Sequence, residues 1–172
     1  MEFRSTQSRE LEPKLLREKK EPFMRALTVL CLVAATLAFA NVAHAAESAW
    51  MTNYAQALEL AKKDGKPVLV DFTGSDWCPW CIKLHNEIFE TKEFKDWAAG
   101  KVVLVELDFP RKSAQAAELK KQNAELQKKY DIKGFPTVIV LNANGEKIGQ
   151  SGYQQGGPGP WIKNIETITA AK

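Results

Sequence analysis

The chain has 172 residues, 45% of them hydrophobic and 26% charged, with a formal net charge of +3. That length allows one ordinary domain of about 100–150 residues plus an extra segment, and the composition excludes a disordered chain and a multispan membrane protein. With residues 1–45 set aside, 17 basic and 16 acidic residues remain, and a net charge of +1 gives no electrostatic basis for binding nucleic acid or an anionic membrane.

In chain order, residues 1–23 are polar, mixed in charge and without a periodic apolar face. They read either as an over-long start ahead of Met24 or as a long cytoplasmic n-region. Residues 24–45 hold Met24, Arg25, an apolar run over 26–40 and then Ala43-His44-Ala45, the layout of a secretory signal peptide cleaved after Ala45. An uncleaved anchor is the alternative, although the run is short of the ~20 residues that a spanning helix needs. Cys31 lacks the small-residue setting of a lipoprotein cysteine and leaves with the signal. The part that remains, residues 46–172, keeps only Cys78 and Cys81, in a compartment where disulfides persist.

Trp50, Met51, Tyr54, Ala57, Leu58 and Ala61 recur at helical spacing, and KKDGKP stops that helix near Lys63. PVLVDF is a short β-branched run suited to a strand buried on both faces of a partly parallel sheet. After TGSDW the spacing is helical again through Ile82, His85, Ile88 and Phe89, so the two cysteines fall at a strand-to-helix junction. KVVLVELDF reads as a second strand. Ser113 is the expected N-cap of a lysine-rich surface helix with apolar contacts from Ala117, Leu119, Ala124, Leu126 and Tyr130. TVIVL, NANG and EKIGQSG give a strand, a tight turn and a second strand. YQQGGPGP leads into a last helix that turns Trp161, Ile162, Ile165 and Ile168 inward. The order helix, strand, helix, strand, helix, strand, strand, helix predicts an α/β sandwich around a small mixed sheet, the setting in which CxxC is a redox motif.

The rivals for the cysteine pair fail on counting. A structural zinc site needs about four soft ligands, and beside the cysteines residues 46–172 offer only His85, so no metal is expected. A c-type haem needs a histidine after the second cysteine, where Ile82 stands. A purely structural disulfide closing so small a loop restricts the unfolded chain little. Thiol exchange remains. Cys78 at a helix start meets unpaired N–H groups and the positive dipole end, which favour a thiolate, and Cys81 sits about one turn further in, placed to resolve a mixed disulfide. Trp77 and Trp80 read equally as packing and as substrate contact. Asp76 and Lys83 act on the thiolate in opposite directions, and His85 reads as a packed or surface residue about 10 Å from the helix start.

With these segments in view, the chain resembles the thioredoxin superfamily, in particular the exported thioredoxin-like proteins of bacteria. The resemblance covers residues 50–170 and is carried by PVLVDFTGSDWCPWCIKL, YDIKGFPTVIVLNANGEKIG and the glycine of SGY. It implies a thioredoxin-like sandwich and a thiol–disulfide oxidoreductase with Cys78 as nucleophile and Cys81 as resolving thiol. It also implies a cis bond at Pro136, where the residues alone suit a trans proline opening an edge strand. Phe135, Thr137 and Gly152 become its neighbours in a substrate groove that Trp77, Pro79 and Trp80 complete. Asp71 resembles the buried aspartate that assists the second cysteine, or else is a strand-end structural carboxylate. The family pattern is broken there by one extra residue before Cys78 and, if the next strand is aligned at Asp108, by Leu104 in place of a lysine.

The expected function is exchange of electrons with the cysteines of other proteins in the periplasm or outside the cell, as a reductant or isomerase rather than an oxidant. No bound cofactor is required, but a redox partner is, with a membrane protein as the expected donor. A peptide-holding module with an idle disulfide and a dedicated reductase of one client, as in cytochrome maturation, are the competing readings.

Overall fold

The computed structural model describes residues 49–171. Residues 1–45, with the expected extension and signal peptide, lie outside the described residues. Eleven elements follow in order: β1 (Trp50–Met51), α1 (Tyr54–Asp64), β2 (Val68–Thr73), α2 (Pro79–Leu84), a π-helical turn (His85–Phe89), α3 (Lys92–Lys101), β3 (Val103–Asp108), α4 (Ala117–Lys129), β4 (Thr137–Leu141), β5 (Lys147–Ser151) and α5 (Pro158–Ala170). The strands form one sheet in the order β1-β3-β2-β4-β5. β3 pairs parallel with β1 and β2, while β4 pairs antiparallel with β2 and β5. Among the described residues no helix is long and apolar enough to cross a membrane.

Period-two alternation divides the core. Val68, Val70 and Phe72 of β2 and Val103, Val105 and Leu107 of β3 pack with Tyr54, Ala57 and Ala61 of α1 and Leu126 of α4. Leu69 and Leu104 face the other way, into a layer with Leu84, Ile88, Phe89, Phe94 and the α5 residues Trp161, Ile162 and Ile165. β2 is buried along its whole length, which is why its sequence lacks an apolar–polar alternation. The mixed sandwich expected from the sequence is the fold observed.

Several boundaries differ from expectation. Trp50 and Met51 do not begin the first helix; they pair with Leu104 and Val105 as a short edge strand. The helix starts after Asn53, whose side chain accepts the Gln56 N–H, and ends at Gly65, which takes the left-handed conformation at φ 66°. α3 is an additional helix, capped by Thr91 and anchored by Phe94 and Ala98. Ser113 does not cap α4: Ala116 stands at the N-cap, and the Ser113 N–H donates to Asp76 in the loop before it. α4 begins at Ala117, and it leaves Ala117 and Ala124 exposed while burying Asn123 and Leu126. Asn123 is tolerated there because its amide donates to the Asp108 carbonyl at 2.8 Å.

Candidate active site

Cys78 is the N-cap of α2 and Pro79 occupies the first turn, where a missing N–H costs nothing. Cys78 and Cys81 are joined as a disulfide with Cα atoms 5.3 Å apart, and the Cys81 N–H donates to the Cys78 sulfur at 3.2 Å. A sulfur that already accepts a backbone donor at a helix start is the one favoured as a thiolate once the bond opens. The two cysteines keep only 4% and 2% of their surface exposed. The first sulfur is therefore largely covered in the oxidised form.

Hydrogen bonds fix the loop before the pair. Ser75 donates to both carboxylate oxygens of Asp108, at 2.9 Å from its N–H and 2.6 Å from its hydroxyl. Asp76 accepts the backbone N–H groups of Arg111, Lys112 and Ser113 at 2.8–2.9 Å, and the first of these bonds does most to draw its pKa down to about 2. The Asp76 charge is thus spent on tethering the loop after β3. Lys83 lies 3.8 Å from Glu87. The Trp77 indole N–H donates to the Phe109 carbonyl at 2.8 Å, and the Arg111 guanidinium stacks 3.6 Å from the Trp77 ring.

Two aromatic walls flank the pair. Trp77 meets Phe135 edge-on at 5.8 Å, and Trp80 meets Tyr153 at 5.4 Å with Lys83 over both rings. Trp80 is 54% exposed. The Phe135–Pro136 peptide is cis. A Cβ on Gly152 would lie 3.3 Å from the Pro136 carbonyl oxygen, so Gly152 closes against Pro136. The Thr137 hydroxyl turns back to the Gly134 carbonyl at 2.8 Å.

Beneath the pair lies a cavity of about 250 Å³ lined by Asp71, Thr73, Cys81, His85 and Glu106, among others. Asp71 is buried at 4% exposure and its Oδ1 finds no hydrogen-bond partner among the described residues. Burial, then the charges of Glu106 and Asp108, push its pKa well above the ordinary carboxylate range. The residue opposite Asp71 on β3 is Glu106, whereas Leu104 stands opposite Leu69 and packs in the core. The alignment at Asp108 therefore misplaces that position, and Glu106 is the site residue the sequence reading missed. Its signal was present in the first of the two acidic breaks within VVLVELDF. His85, read from the sequence as a packed or surface residue, lies one turn beyond Cys81 and lines the same cavity. Among the described residues no cluster of three or more His, Cys, Asp or Glu is arranged to hold a metal.

A CxxC disulfide capping a helix after a buried strand that carries a buried aspartate, in a chain with a cis-proline before β4, defines the thioredoxin-like class of thiol–disulfide oxidoreductases. The chain belongs to the family described as the thioredoxin-like domain, whose model matches residues 54–157. It is 39% identical over 115 residues to the disulfide bond reductase DsbH of Chlamydia pneumoniae, a match covering 67% of this chain and 69% of that protein. It is 31% identical over 140 residues to the thioredoxin-related protein DsbJ of the same organism, covering 78% of this chain but 40% of that one. A solved structure described as the DsbH oxidoreductase superposes with a TM-score of 0.68 at 37% identity, over 72% of this chain and 85% of that one.

Proposed function

We propose that this protein is an exported thiol–disulfide oxidoreductase that acts on the cysteines of other proteins and works as a reductant or isomerase rather than an oxidant. The observation that carries the proposal is the division of labour between the sulfurs. Cys78 caps α2 and accepts a backbone N–H, while Cys81 borders the cavity that holds Asp71. Cys78 as thiolate attacks a substrate disulfide, and Cys81 gives its proton to Asp71 and closes the ring. Pro136, Phe135, Thr137 and Gly152 receive the substrate chain beside the sulfurs, with Trp77, Pro79 and Trp80 forming the rim. The direction of electron flow is supported by the likeness to DsbH, named as a disulfide bond reductase.

Each turnover leaves the pair oxidised, so a redox partner must return two electrons, and a membrane protein is the proposed donor. Export follows from residues 24–45 read as a cleaved signal, which places residues 46–172 in the periplasm or outside the cell. The test is a redox equilibrium of the purified domain against glutathione and dithiothreitol series, together with Cys81→Ser as a trap. A cycling pair and a mixed disulfide held on Cys78 are expected. A pair that does not cycle, or a Cys81→Ser protein that traps nothing, leaves a peptide-holding module as the better reading.

A further inference from the structure

The floor beneath Cys81 contains one acid to which the reaction above assigns no part. Glu106 stands across the β2–β3 register from Asp71, on strands about 5 Å apart. Strand alternation turns both toward α2, since Leu69 and Leu104, two positions earlier on each strand, pack in the layer on that side. Both carboxyls line the cavity that Cys81 borders. The cavity walls run from Cys81, 2% exposed, to Ile82, 41% exposed, so the space joins the covered sulfur to solvent. The groups that face Glu106 are Asp71 from β2, Asp108 from its own strand, Cys81 from α2 and His85 from the π-helical turn. Burial and then Asp108 push the Glu106 carboxyl up, while a protonated His85 draws it down.

We propose that Glu106 is a positioning residue for proton transfer from Cys81: it shares a proton with Asp71 across the strand pair and hands it to solvent along the cavity on the His85 side. This rests on the oxidoreductase reading. In the mixed disulfide, the Cys81 thiol proton passes to the Asp71 carboxylate and the Cys81 thiolate attacks the Cys78 sulfur. The bond from Cys78 to the substrate sulfur breaks, and its electron pair leaves on the substrate thiolate. Two electrons have then moved from the dithiol to the substrate, and one proton sits on Asp71 under a covered sulfur. Two adjacent carboxyls, Asp71 buried and Glu106 half-buried, resist holding two negative charges, so they titrate as a pair. An ionised Glu106 keeps the proton affinity of Asp71 high and sets the pH at which Cys81 becomes competent.

The test is the pH profile for release of thionitrobenzoate from its mixed disulfide with Cys78, in the wild-type protein and in Glu106→Gln. Removing the like charge should move the acid limb to lower pH by about 1 unit. Superimposable profiles overturn the proposal while leaving the oxidoreductase reading intact. A wild-type protein that releases nothing at any pH counts against that reading instead. Should Glu106→Gln not fold, carboxyl-carbon NMR titration of the wild-type protein decides. Coupled two-step curves at Asp71 and Glu106 are expected, and independent single-step curves overturn the pairing.

Discussion

Gly74 lies so close under the Trp77 indole that a Cβ there would come within 2.5 Å of the ring. The small residue lets Trp77 reach the Phe109 carbonyl and stack with Arg111, which holds the approach to Cys78. Gly74→Ala must displace the ring, and a loss of about 1–3 kcal/mol is expected from the overpacking. Chemical denaturation followed by tryptophan fluorescence measures it. Native-like emission and unchanged stability would show that the ring is not held as described.

Asp71 connects stability with activity. Its folded-state pKa is raised well above the ordinary 3.8, chiefly by burial, so its contribution is intact below the ordinary value and is lost as pH rises through the folded one. Asp71→Asn should therefore leave stability unchanged near pH 3 and increase it at alkaline pH. Ring closure by Cys81 should slow on the order of 100-fold. Urea midpoints across pH, paired with single-turnover exchange rates, check both halves. A stability gain with no loss of rate would make Asp71 a structural carboxylate.

Asp76 has the opposite sign. Its pKa is lowered from 3.8 to about 2, so the stabilisation is present above the ordinary value and disappears as pH falls through about 2. Asp76→Ala leaves the N–H groups of Arg111, Lys112 and Ser113 without their acceptor. The melting temperature should drop at pH 7, and the difference from wild type should shrink toward pH 2. A difference that stays constant with pH would assign the loss to packing rather than charge.

Trp80 is exposed and packs on Tyr153 at the rim. With insulin as the disulfide substrate, Trp80→Ala should lower kcat/KM roughly tenfold, as loss of an aromatic contact residue does. Unfolding free energy should change by less than about 0.5 kcal/mol. An unchanged kcat/KM would restrict Trp80 to packing.

Local order is legible in the residues because it depends on local chemistry. The largely apolar run of β2, the NANG turn between β4 and β5, and CxxC after a strand each carry their own signal. Where the reading missed, a distant partner decided. Trp50 and Met51 have helical spacing but join Leu104 and Val105 as a strand. Ser113 has the right side chain for a cap, but it lies in a loop tied by its N–H to Asp76, 37 positions earlier, and the helix starts only at Ala117. Ala117 and Ala124 fit an apolar face, yet the α4 surface that meets the sheet carries Asn123, satisfied by the Asp108 carbonyl.

The site divides in the same way. The sequence by itself determined that two cysteines three apart would stand at a helix start, since spacing and helix polarity are properties of the chain alone. Only the tertiary structure decided that Glu106 rather than Leu104 stands beside Asp71. A shift of two residues in register preserves the face each side chain points to, so alternation cannot distinguish those positions. Which acid lies under Cys81 is settled only when β2 and β3 pair.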